Sequence, residues 1–132
     1  GKTMLSACIA CEGAEKGYSV AYESAQHLFA KLEKDRFHPD EESALAVKKL
    51  ADCDLLLVDD LGTELPGQFV TAALYSLIND RLLEAKPTII SSNLSEEEMV
   101  RRYNPQIASR LQGSFNRLTF VGEDIRVLKN KL

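Results

Sequence analysis

Two adjacent carboxylates, Asp59 and Asp60, follow four apolar residues in the run Leu55-Leu56-Leu57-Val58-Asp59-Asp60-Leu61-Gly62-Thr63-Glu64. An unbroken apolar series suits a strand buried on both faces, so its charges emerge at the carboxyl edge of a sheet, where open α/β sheets bind ligands. A carboxylate there is costly unless a cation offsets it. Beside a nucleotide that cation is Mg²⁺, with Asp59 on the metal side and Asp60 placed to orient an attacking water. A strand that simply ends in an acidic turn is the alternative, and the run alone does not separate the two.

Gly1-Lys2-Thr3 opens onto Met4, Leu5, Cys8 and Ile9 at helical spacing, with Lys16 and then Gly17 as stop signals, so a helix is expected from about Lys2 to Lys16. Gly-Lys-Thr at a helix start is the closing half of G-x-x-x-x-G-K-[ST], in which backbone N–H groups and the lysine hold phosphates and the hydroxyl holds Mg²⁺. The tripeptide alone is a weak signal. A second buried strand, Thr88 to Ser92, ends in small polar groups and brings Asn93 to the same carboxyl edge as Asp59. An amide there can hold a water or a γ-phosphate oxygen, or can serve as a turn former before the next helix.

The chain has 132 residues, 45% hydrophobic and 27% charged, enough for a single domain with a core. No apolar run reaches transmembrane length and no leader pattern precedes the first helix, so a cytoplasmic address without membrane contact is expected. Three cysteines fit a reducing compartment, and Cys8 and Cys11, lacking a second Cys/His pair, are expected as small buried helix residues rather than a metal site. The net charge of −4 is uneven: from Arg101 onward seven basic residues face two acidic ones, net +5, leaving −9 on the preceding residues. Such a division suits head-to-tail contacts between copies, contact with a polyanion, or a solvated tail.

The remaining elements follow from periodicity and caps. Tyr18 to Tyr22 has strand composition; Ala25, Leu28, Phe29 and Leu32 mark an amphipathic helix; Asp40 caps a helix to Leu50 with Ala44, Val47 and Leu50 inward. Val70, Leu74, Leu77, Ile78 and Leu82 set a long helix ending near Lys86-Pro87. Ser95 with Glu98 forms a capping box, and Asn104-Pro105 starts a helix that carries Arg110 near its end. Asn116 to Val121 is the last expected strand, and Gly122 to Leu132 a polar tail with Arg126 in a final helical turn.

In this order LLLVDDLGTE, TIISSNLSEEE, NPQIASRL and LTFVGEDIR resemble the AAA+ ATPase domain of bacterial helicase loaders, the DnaC/DnaI type, and the related IstB-like transposition helpers. The resemblance spans the whole chain. It implies a three-layer α/β fold of the P-loop NTPase type, with Gly1, Lys2 and Thr3 binding ATP and Thr3 and Asp59 holding Mg²⁺. Asp60 then stands where most such proteins place a catalytic glutamate, a departure common among the loaders. Asn93 resembles the polar sensor residue, Arg110 an arginine finger reaching a neighbour's ATP, and Arg126 a second sensor arginine. Implied partners are the replicative DNA helicase, single-stranded DNA and further copies joined head to tail through Arg110.

A guanidinium on transition-state charge is worth about 10³ to 10⁵ in rate, and one supplied in trans makes hydrolysis report assembly. Arg110 as a plain helix-end arginine is the alternative. The family's sheet order is 5-1-4-3-2, and its first strand and the glycine-rich half of the phosphate loop precede the matching positions. This implies either closure of two sheet edges, 88–92 against 116–121, or a covering chain, and weak ATP binding and hydrolysis by this stretch alone. Competing readings are the transposition helper, a small-molecule P-loop kinase and a non-catalytic module.

Overall fold

The computed structural model describes residues 2–65, 67–113, 115–120 and 123–128, with side chains described for 7–65, 67–110 and 113. The elements are α1 (Lys2–Glu15), β1 (Val20–Ser24), α2 (Ala25–Phe37), α3 (Glu41–Asp52), β2 (Leu55–Leu61), α4 (Gln68–Leu83), β3 (Thr88–Ser92), α5 (Glu96–Arg102), α6 (Pro105–Gly113), β4 (Phe115–Phe120) and β5 (Glu123–Leu128).

The sheet order is β1-β2-β3-β5-β4. The first three strands are parallel, and β5 pairs antiparallel with both β3 and β4. Two expectations are corrected here. The segment expected as a tail with a helical turn at Arg126 is strand β5, with Arg126 opposite Ile90 on one side and Arg117 on the other. The strand expected at 116–121 is β4, at the outer edge, so the chain covers the edge of β3 with β5 instead. The open N–H and C=O groups along β3 outweigh the weak strand pattern of the tail.

Helices cover both faces of the sheet. Leu56 and Val58 face a core built with Leu28 and Phe29 of α2, Leu74 and Ile78 of α4, and Met99 and Ile107 of α5 and α6. Leu57 and Ile89 face the other way, against Ile9 and Ala10 of α1 with Val20, Tyr22 and Leu55. Alternation along β2 therefore puts Leu55, Leu57 and Asp59 on the α1 side. Gly13 lets α1 lie close, since a Cβ there would stand 3.1 Å from Val20 Cγ2.

Local signals set most boundaries. Asp40 and Ser43 form a reciprocal capping box at α3, as do Ser95 and Glu98 at α5. Asn104 Oδ1 accepts from the Ile107 N–H at 2.8 Å at the start of α6. On α3 the inward face is Ser43 and Leu50 with Val47 half-buried, while Ala44 is exposed, because the box turns Ser43 toward Asp35. Cys8 and Cys11 are exposed, opposite the sheet-facing Ile9 and Gly13. Strand β1 begins at Val20 and leaves Tyr18 exposed.

At the amino ends of the strands a single cation joins three elements. Arg81 of α4 is 1% exposed. Its Nε donates to Thr88 Oγ1 at 2.7 Å, one terminal nitrogen to the carbonyls of Leu50, Ala51 and Cys53 at 3.0–3.1 Å, and the other to the Pro87 carbonyl at 2.7 Å. A helix leaves its last carbonyls without partners, and here the guanidinium supplies donors to the end of α3. Burial pulls the Arg81 pKa below its ordinary value, an effect that the nearby Cys53 thiol opposes.

Candidate functional site

The carboxyl end of β2 departs from regular pairing. Val58 stands opposite Ile90 and Leu61 opposite Ser92, so Asp59 and Asp60 together face the single residue Ser91. This is a β-bulge, a device that re-aims a side chain and often borders active sites. Ser91 secures both bulged residues: its hydroxyl donates to Asp59 Oδ1 and accepts the Asp60 N–H at 3.0 Å. Asp60 adopts a left-handed backbone, φ +57°. Its carbonyl accepts from Thr63 Oγ1 at 2.8 Å and from the Thr63 N–H at 3.2 Å.

Asp59 is buried, 7% exposed, and its Oδ2 also accepts from the Tyr22 hydroxyl at 3.3 Å. Burial, followed by the charge of Asp59, pushes the Tyr22 phenol above its ordinary pKa, so it remains a donor at neutral pH. Ser91 and Tyr22 both donate to this carboxylate and so orient it as an acceptor, and carboxylate oxygens suit a hard cation such as Mg²⁺. Asn93 directly follows β3 and is exposed at the same carboxyl edge.

Helix α1 reaches this edge as well. It runs opposite to β1, with Gly13 level with Val20 and Leu55 near the amino ends of the strands. From Gly13 back to Thr3 the helix axis rises about 15 Å. From Leu55 forward to Asp59 the strand rises about 13 Å. The amino-terminal half of α1 therefore extends toward the carboxyl ends of the strands on the face that carries Leu57. Lys2 and Thr3 are described here by their α1 backbone alone; Gly1 and the side chains of Lys2, Thr3 and Arg126 lie outside the described residues. Arg110 is exposed in the last turn of α6 and makes no ion pair among the described residues.

Three side chains with no distinctive sequence signal complete the surroundings. Glu64 is 5% exposed, and its Oε2 accepts the Gly62 N–H at 2.9 Å while Oε1 accepts from the Tyr103 hydroxyl. Arg102 Nε lies 3.9 Å from Glu64 Oε1, buried and without a hydrogen bond among the described residues. Gly62 has φ +109°, and a Cβ there would meet Leu94 Cγ and Cδ1 at 2.8 Å. Among the described residues no group of three or more His, Cys, Asp or Glu forms a metal-holding cluster, and no helix is long and apolar enough to cross a membrane.

Comparison with known proteins bears on the fold and the family. An insertion sequence ATP-binding protein of Sinorhizobium fredii is 36% identical over 93 residues, covering 70% of this chain and 30% of that protein. Two solved structures have TM-scores of 0.69 over 86% of this chain: AMPPCP-bound DnaA from Aquifex aeolicus, 25% identical, and a DNA replication initiation factor, 26% identical. The chain covers 35% and 34% of those two chains, about a third of each. The architecture is that of an AAA+ P-loop NTPase. Residues 1–125 match the family described as IstB-like ATP binding protein, so the chain belongs to the IstB-like ATP-binding family.

Proposed function

We propose that this chain is the nucleotide-handling part of an ATPase that assists transposition of an insertion sequence, working with a transposase on DNA. What supports the reading is the membership in an ATP-binding family together with the carboxyl end of the sheet, where the Asp59–Asp60 bulge and Asn93 stand on neighbouring strands. In this reading Gly1, Lys2 and Thr3 bind the phosphates, Thr3 and Asp59 hold Mg²⁺, and Asp60 and Asn93 position the attacking water. Bound Mg²⁺ neutralises charge on the phosphates. Ser91 and Tyr22 keep Asp59 oriented as an acceptor, and the positive end of α1 favours the anion.

The helicase-loader reading, with the replicative helicase and single-stranded DNA as partners, uses the same site. The family and the insertion-sequence relative support transposition over it. For the kinase and the non-catalytic module no observation speaks. The full-length protein should hydrolyse ATP with Mg²⁺, and Asp59→Asn should lower the rate by more than about tenfold. It should also be retained by the transposase and not by a replicative helicase. Retention by the helicase alone would reverse the choice of partner, and unchanged hydrolysis in Asp59→Asn would overturn the ATPase reading.

A further inference from the structure

We propose that Glu64 is a positioning residue: one buried carboxylate that sets the loop after the acidic pair and, through Tyr103, the helix that presents Arg110. The inference rests on the ATPase reading above. Between Asp60 and Glu64 the chain closes on itself through the Thr63 bonds to the Asp60 carbonyl and the Gly62 N–H to Glu64. Gly62 is pressed against Leu94, the residue after Asn93, so this loop is fixed against the end of β3 as well. The other oxygen of Glu64 crosses to Tyr103, which is the C-cap of α5 and immediately precedes Asn104, the side chain that caps α6.

Structural duty alone does not require this choice of residue. A neutral side-chain acceptor could take the bonds from the Gly62 N–H and the Tyr103 hydroxyl, whereas a carboxylate at 5% exposure carries an added desolvation cost. The two bonds it accepts come from two separate pieces of the site, one beside the acidic pair and one beside the arginine-bearing helix. Burial, then the bond to Glu64, raises the Tyr103 phenol pKa far above its ordinary value, so the hydroxyl stays a donor. Arg102 supplies the adjacent positive charge, with its Nε 3.9 Å from Oε1. Acidic pair and arginine helix are thereby held in one register, and each copy offers its finger to a neighbour from a helix tied to its own acidic rim.

The test uses Glu64→Gln, Tyr103→Phe and the double variant in the full-length protein. ATP binding is read with a fluorescent ATP analogue and turnover as phosphate released per bound nucleotide. Both single variants should bind ATP within about twofold of wild type yet turn over about tenfold more slowly, and the double variant no more slowly than either. Tyr103→Phe keeps the buried ring and removes only the hydroxyl, so it carries the test if Glu64→Gln does not fold. Turnover near wild type in the single variants, or binding and turnover falling together with the folded fraction, overturns the inference. Wild-type protein that neither binds nor hydrolyses ATP overturns the ATPase reading itself.

Discussion

The hydroxyl of Ser91 serves two neighbours at once, and its loss should be felt in stability before any chemistry is considered. Ser91→Ala leaves the part-buried Asp60 N–H without its acceptor and removes a donor from Asp59, a change worth about 1–3 kcal/mol. Urea unfolding should show that loss as a lower midpoint at unchanged slope. The apolar run of β2 and the small polar end of β3 are legible in the sequence, and Asn93 does follow β3 directly, although β2 continues past Asp59 and Asp60 to Leu61. The bulge was invisible in the sequence. An extra residue in a ladder is a relation between two strands, and neither strand's composition records it. Glu64 and Tyr103 were missed for the same reason: they lie far apart in sequence and have a role only as a pair.

Elements whose limits depend on neighbouring residues were legible, and those that depend on distant ones were not. Capping at Asp40, Ser95 and Asn104 could be read directly, since each cap bonds within its own first turn. Strand β5 could not, because it forms where the edge of β3 lies open and not where its own pattern is strong. Arg81 left a trace that could have been followed: it continues the apolar stripe of Leu74, Leu77 and Ile78 on α4, so a charge falls on a buried face. Arg81→Met keeps most of the volume but removes the donors to α3, Pro87 and Thr88. The cost should be about 3 kcal/mol, consistent with losing several charge-assisted bonds, and thermal unfolding should show it.

At the scale of the whole molecule, Arg110 stands exposed on α6 while the acidic rim belongs to the sheet. If the finger works in trans, specific ATPase activity of the full-length protein should rise with protein concentration. Arg110→Ala should flatten that dependence, and doping it into wild type should lower the rate more steeply than dilution by inert protein. A rate per subunit independent of concentration would remove the trans role. The sheet also has two unlike ends. Arg81 cements the amino ends of β2 and β3 through hydrogen bonds to carbonyls, a hydroxyl and a thiol, while hydroxyls and carboxylates stand at the carboxyl ends. The buried cation and the proposed site thus stand at opposite poles. A change at Arg81 should therefore loosen the scaffold without touching the acidic pair, whereas Ser91 is an anchor that the acidic pair and the scaffold hold in common.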